Sequence, residues 1–204
     1  MTSSKDYLKL SFHIDKQKVR NQKYFVFGDR KYSIDFDLII KNSNYFYKNR
    51  QQFEKVENIN LLNAEEIENS FPVEAIEAFI SSCQNKPCQI NSTSIFALQY
   101  LSYKYEFPEI TNITTTFINE HSDELVLESL LFKINSNKEK EEGVRHENLY
   151  FDTSKEEETI TQNLEKFIED KNMKKVPISI LERIIRKYST IKKNSSNNEK
   201  EKII

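Results

Sequence analysis

Glycine occurs at only two positions, Gly28 and Gly143, in a chain of 204 residues. That scarcity restricts what the loops can do. A loop that cradles phosphate needs glycine so that the backbone can approach the ligand closely. Neither a G-x-x-x-x-G-K-[ST] nor a G-x-G-x-x-G pattern can be assembled from these two residues, so nucleotide-binding enzymes of the common kinds are not expected. Gly28 sits between two apolar alternating segments, 24–27 and 32–34. The arrangement predicts a hairpin in which Gly28 supplies the positive φ of the turn.

Upstream, Leu8, Leu10, Phe12 and Ile14 alternate and predict a strand with one apolar face. After the hairpin, Asp35 stands where a helix starts and its carboxylate can accept from free backbone N–H groups. Phe36, Ile39 and Ile40 give that helix its apolar face, and 42–44 is expected to end or break it. An aromatic cluster follows at Tyr45, Phe46 and Tyr47, then a short strand with Ile59 and Leu61 on one face. Pro72 suits the first position of a helix carrying Val73, Ile76, Phe79 and Ile80. Asn91 and Ser92 are candidate N-caps for a helix with Ile95, Leu98, Leu101 and Tyr105, which Pro108 is expected to stop. Further helical stripes run through Ile113, Phe117 and Ile118, and through Leu125, Val126, Leu130, Leu131 and Ile134.

Residues 135–148 are polar and charge-dense and are expected to form a loop, with the main boundary in or just before it. Ser154 and Glu157 have capping-box spacing. Ile160, Leu164, Phe167 and Ile168 then share a helical face, and Pro177 opens a last helix with Ile178, Leu181, Ile184, Ile185 and Tyr188. A few short strands followed by many helices define an α+β class, a small sheet capped by helices.

Apolar residues make up 37% of the chain, below the usual globular share, because Lys-, Glu- and Asn-rich stretches dilute it. A formal charge of −2 gives the whole chain no general pull toward nucleic acid or an anionic membrane. No run approaches the roughly 20 apolar residues of a membrane span. Residues 1–6 lack a basic segment leading into an apolar one, so no secretory signal is expected. Two cysteines, Cys83 and Cys88, are too few for a disulfide framework, and a cytoplasmic or nuclear setting is expected.

The stretch Phe25, Val26, Phe27, Gly28, then Tyr32, Leu38, Ile39, Ser43, Tyr45 and Phe46 resembles the opening of the BTB/POZ family. That opening is strand, turn, strand, then a helix ending in serine followed by Tyr-Phe. The later order of elements is similar to the family as far as about residue 120. Asp35 replaces the usual histidine before the first helix, and Ser82, Cys83 and Gln84 stand where Tyr-Thr-Gly is familiar. The second half, with Leu164, Phe167, Ile168, Val176, Pro177, Ile178, Leu181, Ile184 and Ile185, resembles a BACK-type helical extension. The resemblance implies a BTB/POZ-like domain over 1–122, an all-α BACK-like extension over 123–190 and a disordered polar tail over 191–204. It also implies a non-enzymatic module for homo- or hetero-oligomerisation, with the N-terminal strand crossing to a partner. Leu8, Leu10, Phe12 and Ile14 are then the dimer-interface candidates, and pairing of the same strand within its own sheet is the equal alternative.

A second implication is an adaptor or scaffold for a cullin-based ubiquitin ligase. Tyr47 and Phe53 are its partner-binding candidates, because exposed aromatics are favoured anchors. Cullin-binding members often carry a hydrophobic-x-Glu signature in that loop. Here Val56 and Glu57 are adjacent, without the intervening residue.

Catalytic chemistry has little to draw on. His13, His121 and His146 have no companion at metal or triad spacing. Cys83 and Cys88 lack the second ligand pair of a zinc site and are read as small buried residues at a helix end. The carboxylate runs 139–142 and 156–158 are read as solvated charge, and Lys174, Lys175, Lys192 and Lys193 as too sparse for a nucleic-acid footprint. No cofactor and no metal is expected.

Overall fold

The computed structural model describes residues 8–10, 21–62, 71–92, 94–141 and 152–201, with side chains over 21–62, 71–92, 94–137 and 152–193. The chain forms two compact units, Met1–Ser122 and Asp123–Ile204.

The first unit is α+β. Strands β2 (Gln22–Phe27) and β3 (Arg30–Asp35) form an antiparallel hairpin. Its two-residue loop is Gly28 and Asp29, with Gly28 at φ 55°. The chain then crosses over through helices α1 (Phe36–Asn42), α2 (Asn44–Lys48) and α3 (Arg50–Glu54). Such a crossover is what a parallel neighbour requires. Strand β4 (Asn58–Leu62) accordingly lies parallel to β2, giving the order β3-β2-β4.

The β2–β4 register pairs Val26 with Asn60 but Phe27 with Leu62, skipping Leu61. Leu62 is therefore the buried partner of Ile59, and Leu61, expected on that face, is only half-buried. A bulge shifts which side chain points inward because alternation restarts one residue later.

Asp35 caps α1 as expected, its carboxylate accepting from the Asp37 and Leu38 N–H groups. Ser43 separates α1 from α2, its hydroxyl accepting from the Phe46 N–H. Helix α4 (Val73–Cys83) buries Ala75, Ile76, Phe79, Ile80 and Cys83. Pro72 is its N-cap residue, one position earlier than expected. Helix α5 (Ile95–Lys104) follows, with Ser94 at its N-cap and the Asn91 side chain accepting from the Ser94 N–H. Pro108 does not stop α5. The helix ends at Lys104, a turn with Glu106 at φ 50° reverses the chain, and Pro108 opens α6 (Pro108–Glu120). Proline suits a first helical position because that N–H has no intrahelical partner to lose.

Strand β1 (Leu8–Leu10) pairs antiparallel with β5 (Cys88–Ile90) of the same chain, Leu8 opposite Ile90 and Leu10 opposite Cys88. These two strands form a sheet of their own. Phe12 and Ile14 lie outside the described residues.

The second unit is helical: α7 (Ser122–Glu141), α8 (Ser154–Gln162), α9 (Leu164–Phe167), a 3₁₀ turn (Lys171–Lys175) and α10 (Ile178–Glu201). Its core joins Val126, Leu127, Leu130 and Ile134 to Ile160, Leu164, Met173, Val176, Ile180 and Ile184. Residues 135–141, expected in a loop, continue α7. The expected tail from 191 continues α10 to Glu201. Neither stretch contains Gly or Pro, so nothing in them breaks a helix already nucleated by a buried face.

The expected stripe of α10 holds in part: Ile184 is in the core, with Leu181 and Tyr188 packed against it, and Ile180 joins them, while Ile178 and Ile185 are 76% and 54% exposed. Ile168 likewise points outward. Among the described residues no helix is long and apolar enough to cross a membrane.

Candidate partner-binding surface

Phe46 is fully buried and stands at the centre of an aromatic cluster in the first unit. Ring centroids of Phe53, Tyr45, Phe25, Tyr105 and Phe107 lie 5.1, 5.2, 5.3, 5.8 and 6.2 Å from it. Phe79 extends the cluster, 5.4 Å from Phe107. Tilted and edge-on ring pairs, and the stacked pair of Phe46 with Tyr105, are favourable at these spacings beyond their apolar area.

Polar contacts fix the frame around the rings. The buried Ser43 hydroxyl donates to the Tyr105 carbonyl at 2.6 Å while accepting from Phe46 N–H. The Tyr105 hydroxyl donates to the carbonyl of Leu61, the residue the β-bulge leaves out of the ladder. Glu106, in the left-handed region that disfavours a side chain, is held at both ends. Its carbonyl accepts from Asn44 N–H at 3.0 Å and its carboxylate meets Lys48 Nζ at 2.8 Å.

The outer side of α2 and α3 rests on this frame. Tyr47 is 57% exposed, with the Arg50 guanidinium 5.5 Å from its ring. Val56 and Tyr103 are also exposed. Tyr47 directly precedes Lys48 in the sequence, and Tyr103 lies three residues before Glu106. Phe53 differs from Tyr47. It is half-buried and its ring faces Phe46 and Tyr45.

Lys23 anchors this surface from beneath, a role its sequence position gives no hint of. On β2 it shares the inward face of Phe25 and Phe27, and it is 7% exposed. Its ammonium donates to the carbonyls of Glu54 at 3.1 Å and Val56 at 2.7 Å and lies 5.3 Å from the Phe36 ring centroid. Carbonyls at a helix C-terminus lack intrahelical donors and carry partial negative charge. A buried cation is tolerated there because it is hydrogen-bonded.

The other chemistry-bearing residues are dispersed. His13 and His146 lie outside the described residues. His121 stacks on Phe117 at 4.2 Å, its Nδ1 2.9 Å from the Phe117 carbonyl oxygen. Burial pushes the Cys83 thiol well above its ordinary value and raises Cys88 as well. Cys88 Sγ lies 3.3 Å from Ser82 Oγ. Burial thus favours the protonated thiol at both positions, more strongly at Cys83 than at the part-buried Cys88, and a protonated thiol reacts more slowly than a thiolate. Among the described residues no three His, Cys, Asp or Glu side chains are placed to hold a metal. A shallow cavity between Asn42, Ser82, Asn85, Phe107, Glu109 and Ile110 has room for about one water.

In the second unit the carboxylate run behaves otherwise than expected. Glu156 and Glu157 are buried, not solvated. Glu156 meets Lys133 Nζ at 2.7 Å and the Ser129 hydroxyl at 2.9 Å. Glu157 accepts from Arg183 Nη2 at 2.7 Å and Nε at 3.1 Å, and from the Thr153 hydroxyl at 2.7 Å. Burial raises the Glu157 carboxyl. The hydrogen bonds from Arg183 and Thr153, with the charges of Arg183 and Lys187, outweigh it and hold the group below its ordinary value. No Ser154 capping box forms: Thr153 is the N-cap residue, and Asp152 accepts from the Ser154 N–H and hydroxyl.

No protein-family model matches the chain, and no curated protein matches it.

Proposed function

We propose that the protein is a non-enzymatic protein–protein interaction module of BTB/POZ type, with a BACK-like helical extension, that brings chains together as homo- or hetero-oligomers. The observation that carries this reading is the sheet of β1 and β5. Each strand has three residues, and the two are separated by most of the first unit in sequence. A two-stranded sheet this short is marginal unless something else supports it. The register that joins β1 to β5 is equally available to β1 of a second copy, which is the exchange the resemblance implies for Leu8, Leu10, Phe12 and Ile14.

Because Leu10 faces Cys88 across the ladder, Leu10→Cys places a thiol beside a native one. Mild oxidation is expected to give an interchain disulfide, visible as a dimer on a non-reducing gel. An exclusively intrachain bond at high protein concentration would overturn strand exchange.

The exposed Tyr47 favours a second reading, contact with a cullin. Phe53 contributes to it only as the buttress beneath the surface. Titration against a cullin N-terminal domain is expected to saturate in the submicromolar range and to fail for Tyr47→Ala. An unchanged Tyr47→Ala isotherm would remove this reading.

A further inference from the structure

We draw no further inference here: the strongest candidate, the exposed apolar patch of Ile178 and Ile185 on the outer side of α10, is bordered by the Glu182 carboxylate that pairs with Arg186, and nothing in the structure shows what covers it.

Discussion

Replacing Lys23 by methionine tests whether a buried cation holds the surface around Tyr47 in place. Methionine keeps most of the apolar stem, so the change falls on the ammonium and its two acceptors, the carbonyls of Glu54 and Val56. A hydrogen bond to a charged group contributes roughly 1.5–3 kcal/mol. Two of them, less the relief of no longer desolvating an ammonium, leave a net loss of about 2–3 kcal/mol. For a unit of this size that is a fall of about 10 °C in melting temperature. Urea denaturation gives the free energy. Hydrogen exchange locates it, because the Tyr24 amide, bonded to the Glu57 carbonyl at 3.0 Å, should lose protection before the rest of β2. A loss below about 0.5 kcal/mol with unchanged Tyr24 exchange would refute the reasoning, showing that water serves both carbonyls as well as Lys23 does.

Ser43→Ala removes both the donor to Tyr105 and the cap of α2 and is expected to cost about 1–2 kcal/mol in urea denaturation. Arg183→Met leaves the Glu157 carboxylate buried with only the Thr153 hydroxyl and the charge of Lys187 in its favour. The expected loss is about 2 kcal/mol, below the full value for a buried pair because the Arg183 side chain is 53% exposed. The Glu157 carboxyl is held below its ordinary value in the folded chain, so its stabilisation is present above the unfolded pKa and is lost as pH falls through the folded one. Stability of the helical unit should therefore drop below roughly pH 4, and Glu157→Gln should flatten that drop. Tyr47→Ala is expected to change stability by less than about 0.5 kcal/mol while removing partner binding, since the side chain is mostly solvated.

Local signals were readable where a residue acts on its immediate neighbours. Gly28 in its turn, Asp35 at the start of α1 and the apolar spacing of Ile76, Phe79 and Ile80 each depend on contacts a few residues away. The alternation of β4 points Leu61 inward, but the bulge that turns it away depends on the partner strand, which that alternation does not contain. Glu156 and Glu157 looked like surface charge because their partners, Lys133 and Arg183, are 23 and 26 residues distant. Lys23 gives no local signal for the same reason: its acceptors, at the end of α3 and on the connection to β4, lie 31 and 33 residues on. In α10, Ile178 and Ile185 were as good core candidates by spacing as Ile180 and Ile184. Only the helices packed against α10 choose between the two lines. At the partner surface, Tyr47 and Phe53 were equivalent as aromatic side chains. Their difference comes from the ring cluster around Phe46, which the fold assembles from β2, α2, α3, α4 and the turn after α5.

Light scattering on the full chain, followed across the micromolar range, tests the central claim most directly. The account predicts a particle of twice the 24.3 kDa chain mass that returns to single-chain mass when Leu8 and Leu10 are both changed to lysine. A chain that stays at 24.3 kDa at every concentration, with no interchain product from Leu10→Cys, would contradict it.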